Sequence, residues 1–106
     1  MKLDYNVEKY IEKVKKSNEY FCTFINTQSL AAGILVLQPG EKDTQEPHES
    51  DEVYFIIKGD GFLKIKDKDY PIEENKMYFV AKNIVHFFYG HKKELVVLYF
   101  FGGPDS

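Results

Sequence analysis

Two periodicities divide the chain. Between Asn6 and Lys16, the apolar residues Val7, Tyr10, Ile11 and Val14 recur at three- and four-residue intervals, which predicts a short amphipathic helix with Asn6 available as its N-cap. Glu12 and Lys16 form a supporting pair on its wet face. Everything after Lys16 changes to short runs of β-branched and aromatic residues. The runs are Glu19 to Asn26, Ala31 to Leu37, Val53 to Lys58, Phe62 to Lys66, Tyr70 to Ile72, Met77 to Val80, His86 to Tyr89 and Leu95 to Phe101.

Turn residues punctuate these runs. Pro39-Gly40 ends the second, because proline lacks a ladder donor and glycine permits a sharp turn. Gly59-Asp60-Gly61 is expected to be a tight hairpin, Asp67-Lys68-Asp69 a second turn, and Asn75, Asn83 and Gly90-His91-Lys92-Lys93 the later ones. Many short strands with one helix outside predict an all-β antiparallel sandwich or barrel. Residues 1–18 are expected to form a helical extension and 19–106 one barrel domain.

Candidate chemistry collects in Gly40 to Gly59. Glu46 and His48 are two apart and share a face if extended, and Glu52 rejoins them after a kink over Glu49 to Asp51. His86 follows in a second strand-like run. Two imidazoles with one or two carboxylates suit one divalent first-row transition metal: iron, manganese, nickel or zinc. Gln45 could turn inward in place of Glu46, since Pro47 disturbs the local pleat. Tyr54 and Ile56 share the parity of Glu52, and Phe88 that of His86, so these three are expected to line a small-molecule cavity with Gln45. Asp43, Glu49, Asp51 and His91 read as solvated loop residues, with Asp51 also able to orient a ligand.

The spacing Gly40, Glu46-Pro47-His48, Glu52, Gly59 resembles the first motif of the cupin superfamily, with Glu46 where that motif carries its first histidine. The second motif is matched by Asn75, Ala81, Asn83, His86 and Gly90, of which His86 alone is a retained ligand. The resemblance runs from about Ala31 to Phe101. It implies a jelly-roll barrel and metal binding by His48, Glu52, His86 and Glu46. It also implies a metalloenzyme of oxygenase, isomerase or lyase type, with Glu46 as proton acceptor, or a non-catalytic module holding a small ligand in the same barrel.

Composition removes other classes. The 106 residues allow one modest core, and 43% hydrophobic content excludes a disordered chain. Net charge is −3 and the lysines are scattered, so no basic stripe follows a nucleic-acid backbone. No run reaches the ~20 apolar residues of a membrane span, and a cytoplasmic protein is expected. The single cysteine, Cys22, reads as a small core residue. Phosphate loops, nucleophile elbows and Cys-x-x-Cys pairs are absent from the sequence. Phe87, Val97, Tyr99 and Phe101 are expected to face outward, and the strands Tyr20 to Ile25 and Leu95 to Phe101 to seat a homodimer.

Overall fold

The structure, a computed structural model, describes residues 2–105. Helix α1 (Val7–Lys15) begins at Asn6, whose side chain accepts the Lys9 amide at 3.3 Å. Eight strands follow: β1 (Phe21–Asn26), β2 (Ala31–Leu37), β3 (Glu52–Lys58), β4 (Phe62–Ile65), β5 (Lys68–Pro71), β6 (Met77–Val80), β7 (His86–Tyr89) and β8 (Leu95–Phe101). They form a five-stranded sheet in the order β1-β2-β8-β3-β6 and a three-stranded sheet in the order β5-β4-β7, with antiparallel pairing throughout. Among the described residues no helix is long and apolar enough to cross a membrane.

The two faces of the larger sheet are buried differently. Its inner face contributes Leu35, Leu37, Tyr54, Ile56 and Val97 to a core closed from the smaller sheet by Leu63 and Phe88. Its outer face carries Ile34, Val36 and Val96 against Val14 of α1, with Cys22 at the edge of that cluster. Strand β2 therefore has every residue buried, as a strand covered on both faces must. Each aliphatic side chain so enclosed contributes about 1.5–3 kcal/mol relative to exposure.

Four expectations change. Val97, Tyr99 and Phe101 point into the barrel, and Phe87 is half-buried. The reason is register: Ile56, Tyr54 and Glu52 stand directly opposite Val97, Tyr99 and Phe101, and cross-strand partners share a face. Of the four residues, Phe87 alone keeps part of its surface outward.

Gly59-Asp60-Gly61 is also not a hairpin, because β3 belongs to the five-stranded sheet and β4 to the other. Gly59 and Gly61 both adopt φ near +115°, which a side chain would strain, and Asp60 accepts the Lys92 amide at 2.8 Å. The true hairpin joins β4 to β5, so its turn is Lys66-Asp67, with Lys66 at φ 57°, and Lys68 and Asp69 already belong to the strand. Finally, His91 is buried and its Nε2 bonds the Gln38 carbonyl at 2.9 Å, tying the β7–β8 turn to the end of β2.

A candidate metal centre

His48, Glu52 and His86 converge in one end of the barrel. Each offers a ligand atom, and these atoms lie within 4.8 Å of one another. Glu52 starts β3 and His86 starts β7, so the two sheets each hold one side of the site. His48 arrives from the irregular segment before β3, its ring 4.4 Å from that of Phe101.

The hydrogen bonds fix the chemistry of these groups. His86 Nδ1 lies 2.8 Å from the Ile84 carbonyl, which can only accept, so Nδ1 carries a proton and the neutral ring turns the lone pair of Nε2 inward. Nε2 stands 3.0 Å from the Tyr54 hydroxyl and 3.1 Å from Glu52 Oε1. With Nε2 unprotonated, the second approach carries no hydrogen bond. Glu52 Oε1 is consequently a buried carboxylate oxygen without a donor, in a residue 2% exposed.

Burial is the largest influence on His86 and favours its neutral form, but the Glu52 carboxylate and the Ile84 carbonyl together outweigh it and raise the pKa. Tyr54 is pushed well up, first by burial and then by the charges of Glu52 and Asp43. An orphaned carboxylate oxygen facing an inward imidazole lone pair fits a cation better than it fits empty space.

Glu46 stands apart from this group. Residues 41–48 do not form a strand, so the alternation expected to align Glu46 with His48 does not operate, and Glu46 is exposed at the cavity rim. Gln45 is the neighbour that turns in, with Oε1 2.9 Å from the Tyr54 hydroxyl and 3.4 Å from His48 Nε2. Asp43, expected as a solvated charge, is buried and accepts from the Tyr20 hydroxyl and the Phe88 amide. Asp51 instead accepts the Lys82 amide at 3.0 Å and secures a loop.

A cavity of about 520 Å³ is lined by His48 and Glu52 of the triad, while His86 is buried outside its wall. Gln45 and Tyr54 line it as expected. Ile56 and Phe88 lie beneath it in the core, Phe88 packed edge-on against Tyr54 at 4.8 Å. The sequence reading did not assign Tyr20, Tyr99 and Phe101 to the cavity; the inward parity of β8 was the missing signal for the last two. The carboxylates of Glu19, Glu46, Glu52 and Asp105 line this cavity, whereas lysine does not appear in its wall among the described residues.

Residues 33–102 match the cupin domain family, and the chain belongs to that family. It is 27% identical over 86 residues, 81% of its own length and 82% of the relative's, to an uncharacterized protein of Streptomyces coelicolor. Its fold is similar to that of an RmlC-like cupin with a double-stranded β-helix from Methanocaldococcus jannaschii, at TM-score 0.71 and 19% identity, covering 84% of this chain and 86% of that one. It is similar also to KdgF from a Halomonas species, at TM-score 0.70 and 15% identity, covering 81% and 80% of the two chains.

Proposed function

We propose that the protein is a metal-binding cupin that holds one divalent first-row transition ion on His48, Glu52 and His86 and receives a small molecule in the adjoining cavity. The observation that carries this reading is the unpartnered Glu52 Oε1 beside the inward lone pair of His86. Three protein donors of this type suit iron, manganese, nickel or zinc and leave further positions for a ligand. The cavity volume is in the range of small-molecule sites.

When bound, such an ion polarises an oxygen of the ligand. The chain's own groups do the rest. Aromatic rings of Tyr20, Tyr99 and Phe101 shield the ligand from water, and the Tyr54 hydroxyl at the floor holds Gln45 and His86 in place. What supports a proton-accepting role for Glu46 is its place in the cavity wall, exposed and distinct from the triad. Isomerase, lyase or oxygenase chemistry would use these same parts, and so would reversible binding without turnover.

Elemental analysis of the purified protein beside His48→Ala tests the reading. The wild type should carry close to one equivalent of a transition metal and the variant a small fraction of it. Equal contents in the two would sink the proposal.

A further inference from the structure

The strongest constraint on the cavity comes from a residue outside the triad. Asp43 is 9% exposed and its carboxylate is fully engaged. Oδ1 accepts from the Tyr20 hydroxyl and the Gln45 backbone amide, each at 3.2 Å. Oδ2 accepts from the Phe88 amide at 2.9 Å and from the Gln45 side-chain amide at 2.6 Å. A carboxylate bonded to that many donors is an acceptor, so the end of Gln45 facing it must be the NH2 group. The other end, the carbonyl oxygen Oε1, is thereby forced toward the Tyr54 hydroxyl and His48 Nε2.

Two pairs of donor atoms here are spaced as ligands of one ion would be. Two donor atoms each about 2.1 Å from one ion stand about 3.0 Å apart at a right angle and about 3.4 Å apart at the tetrahedral angle. Glu52 Oε1 and His86 Nε2 are 3.1 Å apart, and Gln45 Oε1 and His48 Nε2 are 3.4 Å apart. Tyr54 bridges the two pairs, 2.9 Å from Gln45 Oε1 and 3.0 Å from His86 Nε2. Its hydroxyl has one proton for two acceptors. With an ion on the His86 lone pair, that proton would go to Gln45 Oε1, a carbonyl oxygen with a second lone pair to give.

We propose that Gln45 Oε1 is a fourth protein donor to the ion held by His48, Glu52 and His86, and that Asp43 is the positioning residue that keeps this oxygen, rather than the amide nitrogen, turned to the site. The inference rests on the metal-binding reading above. It assigns to Gln45 the place that sequence spacing offered to Glu46. A neutral oxygen donor there leaves the ion with one carboxylate only, and so more polarising toward a ligand than two carboxylates would leave it.

Titration of the metal-free protein with Co²⁺, followed by calorimetry and by visible absorption, tests both halves. Gln45→Met keeps the length of the side chain without the carbonyl and should weaken Co²⁺ binding about tenfold or more and change the d–d spectrum, whereas Glu49→Gln, at an exposed loop carboxylate outside the cavity, should change neither. Asp43→Asn frees the carboxamide to turn and should reproduce the Gln45→Met spectrum. A carboxylate has no wrong way round, so Asp43→Asn combined with Gln45→Glu should recover the affinity that Asp43→Asn alone loses.

Failure of that recovery would assign Asp43 a purely structural role and overturn its positioning role, and the Gln45 single variants decide the donor even if Asp43→Asn does not fold. Wild-type Co²⁺ binding that is lost in His48→Ala but intact in Gln45→Met would keep the metal reading and overturn this one. No Co²⁺ uptake by the wild type would overturn both.

Discussion

Gly33 shows how a single residue shapes the cavity wall. It pairs directly with Tyr99, and a Cβ built on it would lie 2.3 Å from the Tyr99 ring and 2.4 Å from the Cys22 carbonyl. The absent side chain is what lets the Tyr99 ring lie across β2 and reach Thr23 Oγ1 at 2.7 Å. Gly33→Ala should cost about 1–3 kcal/mol by overpacking, read as a lower urea midpoint at unchanged slope, because the backbone carbonyl cannot retreat as a flexible side chain would. A stability within ~0.3 kcal/mol of wild type would show that the ring swings aside freely.

At the same scale, Glu52 and His86 were legible because they sit on regular strands with an alternating burial pattern. Asp43 reads as a solvated charge and Gln45 only as an alternative to Glu46 because their segment has no pleat, and which side chain turns inward is decided by partners distant in sequence, Tyr20, Tyr54 and Phe88.

Among the elements, strand positions follow closely from local composition, but strand pairing does not. A turn such as Gly59-Asp60-Gly61 has the residues of a hairpin whether the chain folds back or crosses to a second sheet. The decision lies in β8, which fills the place beside β3 that a hairpin partner would take. Helix α1 was legible from spacing alone, but its anchorage was not. Glu94, just before β8, binds Gln38 Nε2 at 2.8 Å, Lys58 at 2.9 Å and Lys15 of α1 at 3.1 Å. Donation from Gln38, then the two ammonium groups, hold its carboxyl at about 2, below the usual 4.5.

A carboxyl depressed in the folded state stabilises fully above about pH 4.5 and loses that contribution as pH falls through 2. Because Lys58 and Lys15 are partly in water, about 1 kcal/mol is expected after screening. Glu94→Gln should therefore lower stability by that amount at pH 7 and by almost nothing at pH 2, with amide exchange in α1 accelerated at the higher pH. A deficit that stays constant across this range would mean that the charge plays no part.

For the whole molecule, the barrel takes Val97, Tyr99 and Phe101 into its interior, which shifts attention from them to the sheet edges. The five-stranded sheet ends in β1 and β6. The outer side of β1 is covered by α1, which packs on Cys22 and Phe24. Strand β6 has no such cover: Met77 and Phe79 are each 62% exposed, with half-buried Phe55 and Val53 directly opposite them on β3. An uncovered edge with an apolar outer face is the feature that proteins pair or protect, and pairing with a second copy makes an isologous contact. We propose β6 as the contact of a homodimer. Light scattering across a concentration series should give twice the 12.4 kDa chain mass, and Phe79→Lys should halve it without lowering the stability of the resulting monomer. Tyr99→Glu behaves differently under this reading: it puts a charge into the barrel core and should unfold the protein rather than split it. A single-chain mass for the wild type at every concentration would remove the dimer, and a Phe79→Lys protein that stays dimeric would move the contact away from β6.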